Sequence, residues 1–318
     1  MASKSGGVAL IYNDEPDADI AVIHAIDPVA ASSAAEVRDR IRENDISYAL
    51  AFRLGSEPFP IQEILNAEKL RWIQLSSAGI DHLANTPIDD VVITNARGVH
   101  TDVLAQYVLC RVLEHYSQFN VFSQQQLRKE WQPQELISAR GKRAIVVGYG
   151  SIGQRVAEYL RSVRISVTGV ARKERATETG EKVVGIDALP MFLGEADVVV
   201  LTLPLTEHTR GFFGAKKFNA MKRGSYFVNI SRGGIVDEGA MVKALSTNHL
   251  AAAAVDVFEQ EPLPKTSPLW DVPNLRITPH SGEAMDWKRR VLEIFAENYR
   301  RMETGEPLMN RVSIADGY

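Results

Sequence analysis

Three short segments put reactive side chains where a run of apolar residues ends. In Val228-Asn229-Ile230-Ser231-Arg232-Gly233-Gly234 an arginine precedes two glycines. Its planar guanidinium matches a carboxylate in a forked, two-point grip. In Asp256-Val257-Phe258-Glu259-Gln260-Glu261-Pro262 a carboxylate precedes a proline, and in Thr278-Pro279-His280-Ser281-Gly282-Glu283 a histidine stands between proline and glycine. A carboxylate that accepts from one imidazole nitrogen orients the ring and favours its protonated form. Glu261 and His280 as a pair could therefore deliver a proton, while Arg232 holds an anionic substrate. Taken singly, each has a plainer reading: a lone arginine is commonly a structural ion pair, and a lone histidine a satisfied core or surface residue.

The sharpest local pattern is Ala144-Ile-Val-Val-Gly148-Tyr149-Gly150-Ser151-Ile152-Gly153. An apolar strand runs into a G-x-G-x-x-G turn that opens a helix, which is the context a dinucleotide-binding turn requires. Gly148 permits the tight turn, Gly150 lets the backbone approach a pyrophosphate, and Gly153 lets helix and strand pack closely. The helix N-terminus offers unpaired N–H groups to the anion. An ordinary βα turn or a methyltransferase turn is the alternative. The next strand, Val167 to Val170, ends in Ala171-Arg172-Lys173 rather than in an acid. A carboxylate there would suit a ribose hydroxyl and repel a 2′-phosphate, whereas Arg172 and Lys173 can pair with that phosphate, so NADP(H) is favoured over NAD(H).

These segments need a scaffold, and the chain supplies alternating elements. Strand-length apolar runs occur at 8–12, 48–52, 72–75, 91–94, 144–147, 166–170, 198–201, 225–229, 252–255 and 275–278. Several are continuous in Val, Ile and Leu, as in parallel strands buried on both faces. Helical patterns lie between them at 34–43, 151–163, 237–246 and 285–302, which predicts an α/β fold with open parallel sheets. Thr101 to Asn120 reads as a connecting helix, with Thr101 as its cap and Leu104, Val108, Val112 and Tyr116 on one face. The polar stretch from Gln118 to Arg140, with Trp131 in its middle, reads as a protruding arm or as a solvated loop.

The chain has 318 residues, enough for about two domains. Lys and Arg number 36 against 40 Asp and Glu, a net charge of −4 that argues against general nucleic-acid binding. The single cysteine, Cys110, rules out an intrachain disulfide, speaks against a cysteine-based metal site and fits a reducing compartment. No apolar run reaches membrane-span length, the start is too short in apolar residues for a signal peptide, and residues 1–6 read as a flexible start.

With these motifs in order, the sequence resembles the D-isomer-specific 2-hydroxyacid dehydrogenase family. The residues that carry the resemblance are the GYGSIG turn, Leu203-Pro204-Leu205-Thr206 with Thr209 and Gly211, the SRGGIVDE segment, DVFEQEPLP and TPH. The match covers nearly the whole chain and is weakest over residues 1–70. Within the family it looks most like NADP-preferring glyoxylate/hydroxypyruvate reductases, on the basic strand end, the Trp131 arm and Ser267-Pro-Leu-Trp270. Two positions depart from the pattern: Gln106, where an acidic residue is common, and Glu283, where small or apolar residues are commoner.

The resemblance implies two Rossmann-like or flavodoxin-like domains: a discontinuous substrate domain of residues 1–100 and 286–318, and an inserted dinucleotide-binding domain of residues 101–285, with a cleft that closes on ligand. It implies hydride transfer between NADP(H) and a small 2-oxoacid/D-2-hydroxyacid pair. Arg232, Glu261 and His280 would be catalytic, with no metal. Cofactor contacts would fall on Gly148, Gly150, Ser151, Ile152, Gly153, Arg172, Lys173, Pro204, Leu205, Thr209, Ile230, Ser231, Asp256 and Gly282, with Asp256 anchoring the nicotinamide carboxamide. Substrate contacts would come from Ser77, Ala78 and Gly79 through backbone amides, together with Arg232 and His280, and Arg53 could add a carboxylate contact. A cytoplasmic homodimer without nucleic-acid or membrane partners completes the expectation. A dinucleotide-sensing regulator on the same fold is the alternative.

Overall fold

In the computed structural model the structure describes residues 7–12, 26, 28–52, 60–83, 86–88, 90–177, 182–314 and 317. Arg53 and residues 1–6 lie outside the described residues. The chain forms two compact units, Met1–Val99 with Ala284–Tyr318, and His100–Glu283.

In chain order the first unit holds β1 (Val8–Tyr12), β2 (Val29–Ala31), α1 (Ala34–Glu43), β3 (Ile46–Ala51), α2 (Ile61–Leu65), β4 (Trp72–Leu75) and β5 (Val92–Thr94). The second holds α3 (Thr101–Tyr116), α4 (Phe119–Arg128), β6 (Arg143–Val147), α5 (Ser151–Ser162), β7 (Ser166–Ala171), β8 (Arg175–Ala176), β9 (Lys182–Gly185), α6 (Leu189–Leu193), β10 (Val198–Leu201), α7 (Ala215–Ala220), β11 (Ser225–Asn229), α8 (Glu238–Ser246), β12 (Leu250–Val255) and β13 (Leu275–Ile277). The chain then returns to the first unit with α9 (Trp287–Thr304).

Among the described residues the first unit's strands pair in the order β2-β1-β3-β4-β5, all parallel. A strand places successive side chains on opposite faces. On β3, Ala49 and Ala51 therefore join Val37 of α1 and Ile64 of α2 on one side. Tyr48 and Leu50 join Val291, Leu292 and Phe295 of α9 on the other. Trp72 stacks on Phe295 with ring centroids 4.9 Å apart. The C-terminal helix is thus needed to bury one face of a sheet built from the start of the chain, which makes this unit discontinuous.

The second unit's strands run β13-β12-β11-β10-β6-β7-β9-β8, parallel except for the β8–β9 pair. Val199 and Leu201 of β10 pack with Phe213, Phe218 and Leu245. Val198 and Val200 pack with α3 and α5 through Val108, Val112, Val156 and Leu160. Both faces are covered, so the strand is apolar at every position. Each such side chain contributes about 1.5–3 kcal/mol by leaving water.

Some elements differ from expectation. The connecting helix stops at Tyr116, Gln118 takes a left-handed φ of 52°, and the segment read as an arm or loop contains α4. Its pattern does not read as a core helix because it buries a polar residue, Gln125, and leaves Phe119 and Leu127 exposed. Thr101 does not cap α3. The cap position is His100, and the Thr101 hydroxyl is buried without a hydrogen-bond partner among the described residues. The strands β2, β8 and β9 are only 3, 2 and 4 residues long, too short for a strand pattern to register. No helix among the described residues is long and apolar enough to cross a membrane.

Candidate active site

The chain moves from β6 outward to β7 on one side and returns to β10 on the other, so strand order reverses between β6 and β10. Ligands in open parallel sheets bind beyond the carboxyl ends of strands at such a point. The glycine turn follows β6 there. Gly148 has φ +102°, and a Cβ on it would lie 2.7 Å from the Thr202 carbonyl carbon. A Cβ on Gly153 would lie 2.0 Å from the Gly148 carbonyl oxygen, so α5 packs directly on the turn. The Thr202 hydroxyl at the end of β10 donates to that same carbonyl oxygen.

Gly150 is different. It caps α5, the cap has no side-chain hydrogen bond, and a Cβ there would meet nothing within 4 Å. Protein packing does not require a glycine at this position, but close approach of a phosphate does. The residues present therefore fit a dinucleotide pyrophosphate, with Ser151 and Ile152 opening the helix. Arg172 and Lys173 form an exposed bend directly after β7. Arg175 of β8 reaches back to donate to the Tyr149 carbonyl at 2.5 Å. Pro204, Leu205 and Thr209 belong to the loop after β10. Thr209 Oγ1 donates to the Pro204 carbonyl at 2.6 Å and accepts from Thr206 N at 2.8 Å, and the Leu205 side chain lies beside Gly234.

Arg232, Glu261 and His280 follow β11, β12 and β13, three adjacent parallel strands, and so share one edge of the sheet. A Cβ on Gly233 would lie 1.8 Å from the Phe258 carbonyl carbon, so the glycine after Arg232 lets that turn press against the loop bearing Glu261. Asn229 accepts from Ser231 N at 3.0 Å and from the Ser231 hydroxyl, fixing the bend before Arg232. The Arg232 guanidinium donates to the Ser231 carbonyl at 2.9 Å. Ile230 is buried in the core beside it.

Glu261 Oε1 accepts from Phe258 N at 2.8 Å, and its Oε2 lies 2.7 Å from His280 Nδ1. Burial opposes the Glu261 charge. The bonds from His280 and from the Phe258 N–H, with the charges of His280 and Arg232, outweigh it and hold the carboxyl below its ordinary range. His280 itself has φ +50°, a left-handed backbone that residues with a Cβ seldom adopt.

Asp256 is 2% exposed, and its carboxylate binds the His280 turn. Oδ1 accepts from Thr278 Oγ1 at 2.6 Å and Ser281 N at 3.0 Å, and Oδ2 from Gly282 N at 3.2 Å. A carboxylate has about four acceptor positions, so about one remains for a further donor. Gly282 spends its N–H on Asp256, and a Cβ on it would lie 2.3 Å from Leu104 of α3. Tyr107, one helical turn along α3 from Leu104, places its hydroxyl 2.8 Å from Thr278 Oγ1. Sequence periodicity assigned α3 only an apolar face and passed over this polar contact.

In the other unit, Ser77, Ala78 and Gly79 form the bend after β4. The Ser77 carbonyl accepts from Ala96 N at 3.0 Å, the Ala78 carbonyl from Asn95 Nδ2 at 2.6 Å, and the Gly79 carbonyl from Ser77 Oγ at 2.8 Å. The bend is pinned by its carbonyls. Gln106 and Glu283 are exposed.

The family model "D-isomer specific 2-hydroxyacid dehydrogenase, NAD binding domain" matches residues 109–282. A glyoxylate reductase from Aeropyrum pernix is 30% identical over 289 residues, covering 86% of this chain and 84% of the relative. A D-isomer specific 2-hydroxyacid dehydrogenase from Xanthobacter autotrophicus Py2, solved in complex with NADPH and MES, is 31% identical with a TM-score of 0.85, covering 99% of this chain and 100% of that one. An NADPH-dependent glyoxylate/hydroxypyruvate reductase from Sinorhizobium meliloti, in complex with NADP and sulfate, is 27% identical with a TM-score of 0.84, covering 98% and 100%.

Proposed function

This chain belongs to the D-isomer specific 2-hydroxyacid dehydrogenase family and is an NAD(P)-dependent oxidoreductase, and from its site we propose that it reduces a small 2-oxoacid of the glyoxylate/hydroxypyruvate type to the D-2-hydroxyacid with NADPH. The observation that carries the reading is the 2.7 Å His280–Glu261 pair on the strand edge that also bears Arg232.

When bound, the reduced dinucleotide supplies the hydride that reaches the substrate's carbonyl carbon. Negative charge then develops on the carbonyl oxygen. Glu261 occupies His280 Nδ1, which leaves Nε2 as the nitrogen that donates the proton to that oxygen. Glu261, held ionised, orients the ring. Arg232 grips the substrate carboxylate and draws charge toward the reacting carbonyl. Gly148, Gly150, Ser151, Ile152 and Gly153 hold the pyrophosphate. Asp256 offers its remaining acceptor position to the carboxamide, with Ile230, Ser231 and Gly282 around it and Pro204, Leu205 and Thr209 in the adjoining loop.

Arg172 and Lys173, with no acid at the end of β7, support NADPH as the preferred cofactor. Two relatives solved with NADPH or NADP agree with that choice. A homodimer through the second unit is supported by Phe119, Leu127, Trp131, Leu136 and Ile137, large apolar residues exposed on α4 and the segment after it, Trp131 at 95%. The single cysteine supports a reducing cytoplasm.

A panel of 2-oxoacids, each with NADPH and with NADH, tests the function by loss of reduced-cofactor absorbance. Turnover of glyoxylate or hydroxypyruvate with higher kcat/KM for NADPH is expected. No turnover of any 2-oxoacid would reject the substrate class, and equal efficiency with NADH would reject the cofactor preference. A dimer mass by light scattering is the matching expectation for assembly.

A further inference from the structure

The His280 turn is tied to the helix that crosses behind it by one polar chain. Thr278 Oγ1 donates to Asp256 Oδ1, a carboxylate that can only accept. The Thr278 oxygen is then left to accept, and the Tyr107 hydroxyl 2.8 Å away becomes its donor. The order of donation is fixed: Tyr107 to Thr278 to Asp256. Asp256 in turn takes the N–H groups of Ser281 and Gly282, and its carbonyl takes the N–H of His280 at 2.8 Å. Every residue from 278 to 282 except Pro279 is therefore bound to Asp256. His280 lies at their centre with its left-handed φ of +50°. That conformation is unfavourable for a residue with a Cβ and persists where its surroundings impose it.

The far end of the chain is well anchored. Tyr107 belongs to α3, which is packed along α5 and the central strands through Ala105, Val108 and Val112. The Arg111 guanidinium lies 5.1 Å from the Tyr107 ring centroid and is itself paired with Glu114 at 2.6 Å. Leu104, on the same face of α3, meets Gly282. The helix thus meets the His280 turn at two points, one apolar and one polar.

We propose that Tyr107 is a positioning residue for His280, acting through Thr278 and Asp256 to hold the imidazole in line with Glu261. The proposal rests on the reading of His280 as the proton donor. Tyr107 touches neither Glu261 nor the glycine turn in any of these contacts, so its loss displaces His280 and the Asp256 end of the site while the glycine turn keeps its own contacts.

The full-length protein carrying Tyr107→Phe, Thr278→Val or Thr278→Ser tests it. Tyr107→Phe and Thr278→Val should each lower kcat for the 2-oxoacid about 3- to 10-fold, the value of one hydrogen bond. The NADPH dissociation constant, read by fluorescence, should rise by less than kcat falls, because the pyrophosphate and 2′-phosphate contacts lie elsewhere. Thr278→Ser keeps the hydroxyl and should restore kcat. The double variant Tyr107→Phe/Thr278→Val should be no slower than the slower single variant. The His280 imidazole signals in a ¹H–¹⁵N spectrum, assigned by their loss in His280→Gln, should move in Tyr107→Phe and Thr278→Val but not in Thr278→Ser. Unmoved signals with unchanged kcat, or a loss confined to NADPH affinity, would overturn the proposal. If the wild type turns over no 2-oxoacid, the reductase reading fails separately, and the His280 signals still decide whether Tyr107 positions the ring.

Discussion

Glu261 and His280 meet through Oε2 and Nδ1 at 2.7 Å, each from the loop beyond its own strand, while Glu261 Oε1 is fixed by the Phe258 N–H at 2.8 Å. One carboxylate oxygen anchors the loop and the other orients the ring. His280→Ala should lower kcat about 10²–10⁴-fold, the usual contribution of a general acid. The same variant removes a hydrogen bond and a nearby charge that both hold Glu261 low, so the Glu261 carboxyl should titrate at higher pH in His280→Ala than in the wild type, read by ¹³C NMR. Near-normal turnover would refute the proton-donor role, and an unmoved titration the coupling.

Arg232 offers a fork, which lysine cannot reproduce. Arg232→Lys keeps the charge but should still lower kcat/KM for the oxoacid about 10-fold or more, and Arg232→Ala up to about 100-fold, the range for hydrogen bonds to charged groups. Retained kcat/KM in Arg232→Ala would remove the carboxylate grip from the mechanism.

The glycine turn separates folding from binding. A Cβ on Gly153 meets the Gly148 carbonyl at 2.0 Å, so Gly153→Ala should lower stability by about 1–3 kcal/mol through overpacking. A Cβ on Gly150 meets nothing within 4 Å, so Gly150→Ala should melt like the wild type yet bind NADPH poorly. Thermal melts beside fluorescence titrations distinguish the two. Normal NADPH affinity in Gly150→Ala would mean the pyrophosphate lies elsewhere.

Removing Arg172 and Lys173 together should raise KM for NADPH at least about 10-fold, the value of a charge-assisted hydrogen bond, and leave KM for NADH nearly unchanged. A parallel rise for both cofactors would show that these side chains meet something other than the 2′-phosphate.

His115 stacks on Tyr226 with ring centroids 4.4 Å apart, and burial pushes its pKa down to about 4 against an opposing effect of Glu114. Above about pH 6.5 it is neutral whether folded or unfolded. Between about 6.5 and 4 the unfolded chain takes up the proton and the folded one does not, so folding stability falls as pH falls. The slope from this residue is at most about 1.4 kcal/mol per pH unit. His115→Phe keeps a flat ring and should flatten that part of a denaturation series. An unchanged slope would exclude His115 as its source.

Local chemistry in the chain was enough to define the α/β class, the glycine turn and its helix, and the presence of Arg232, Glu261 and His280 at strand ends. Each of these is written in neighbouring residues: continuous Val and Ile runs where a strand is covered on both faces, and glycines where backbone must come close. Other features depend on which strands and helices become neighbours. The pairing of Glu261 with His280 follows from β12 lying beside β13. The contact of Tyr107 with Thr278 spans 171 positions and follows from α3 packing behind the same edge. The helix within 118–140 was hidden because the residue it buries, Gln125, is polar, while Phe119 and Leu127 stay exposed. Periodicity reports which face of an element is buried. It holds no record of which distant side chain a polar group will meet, and here strand order and helix packing decided that.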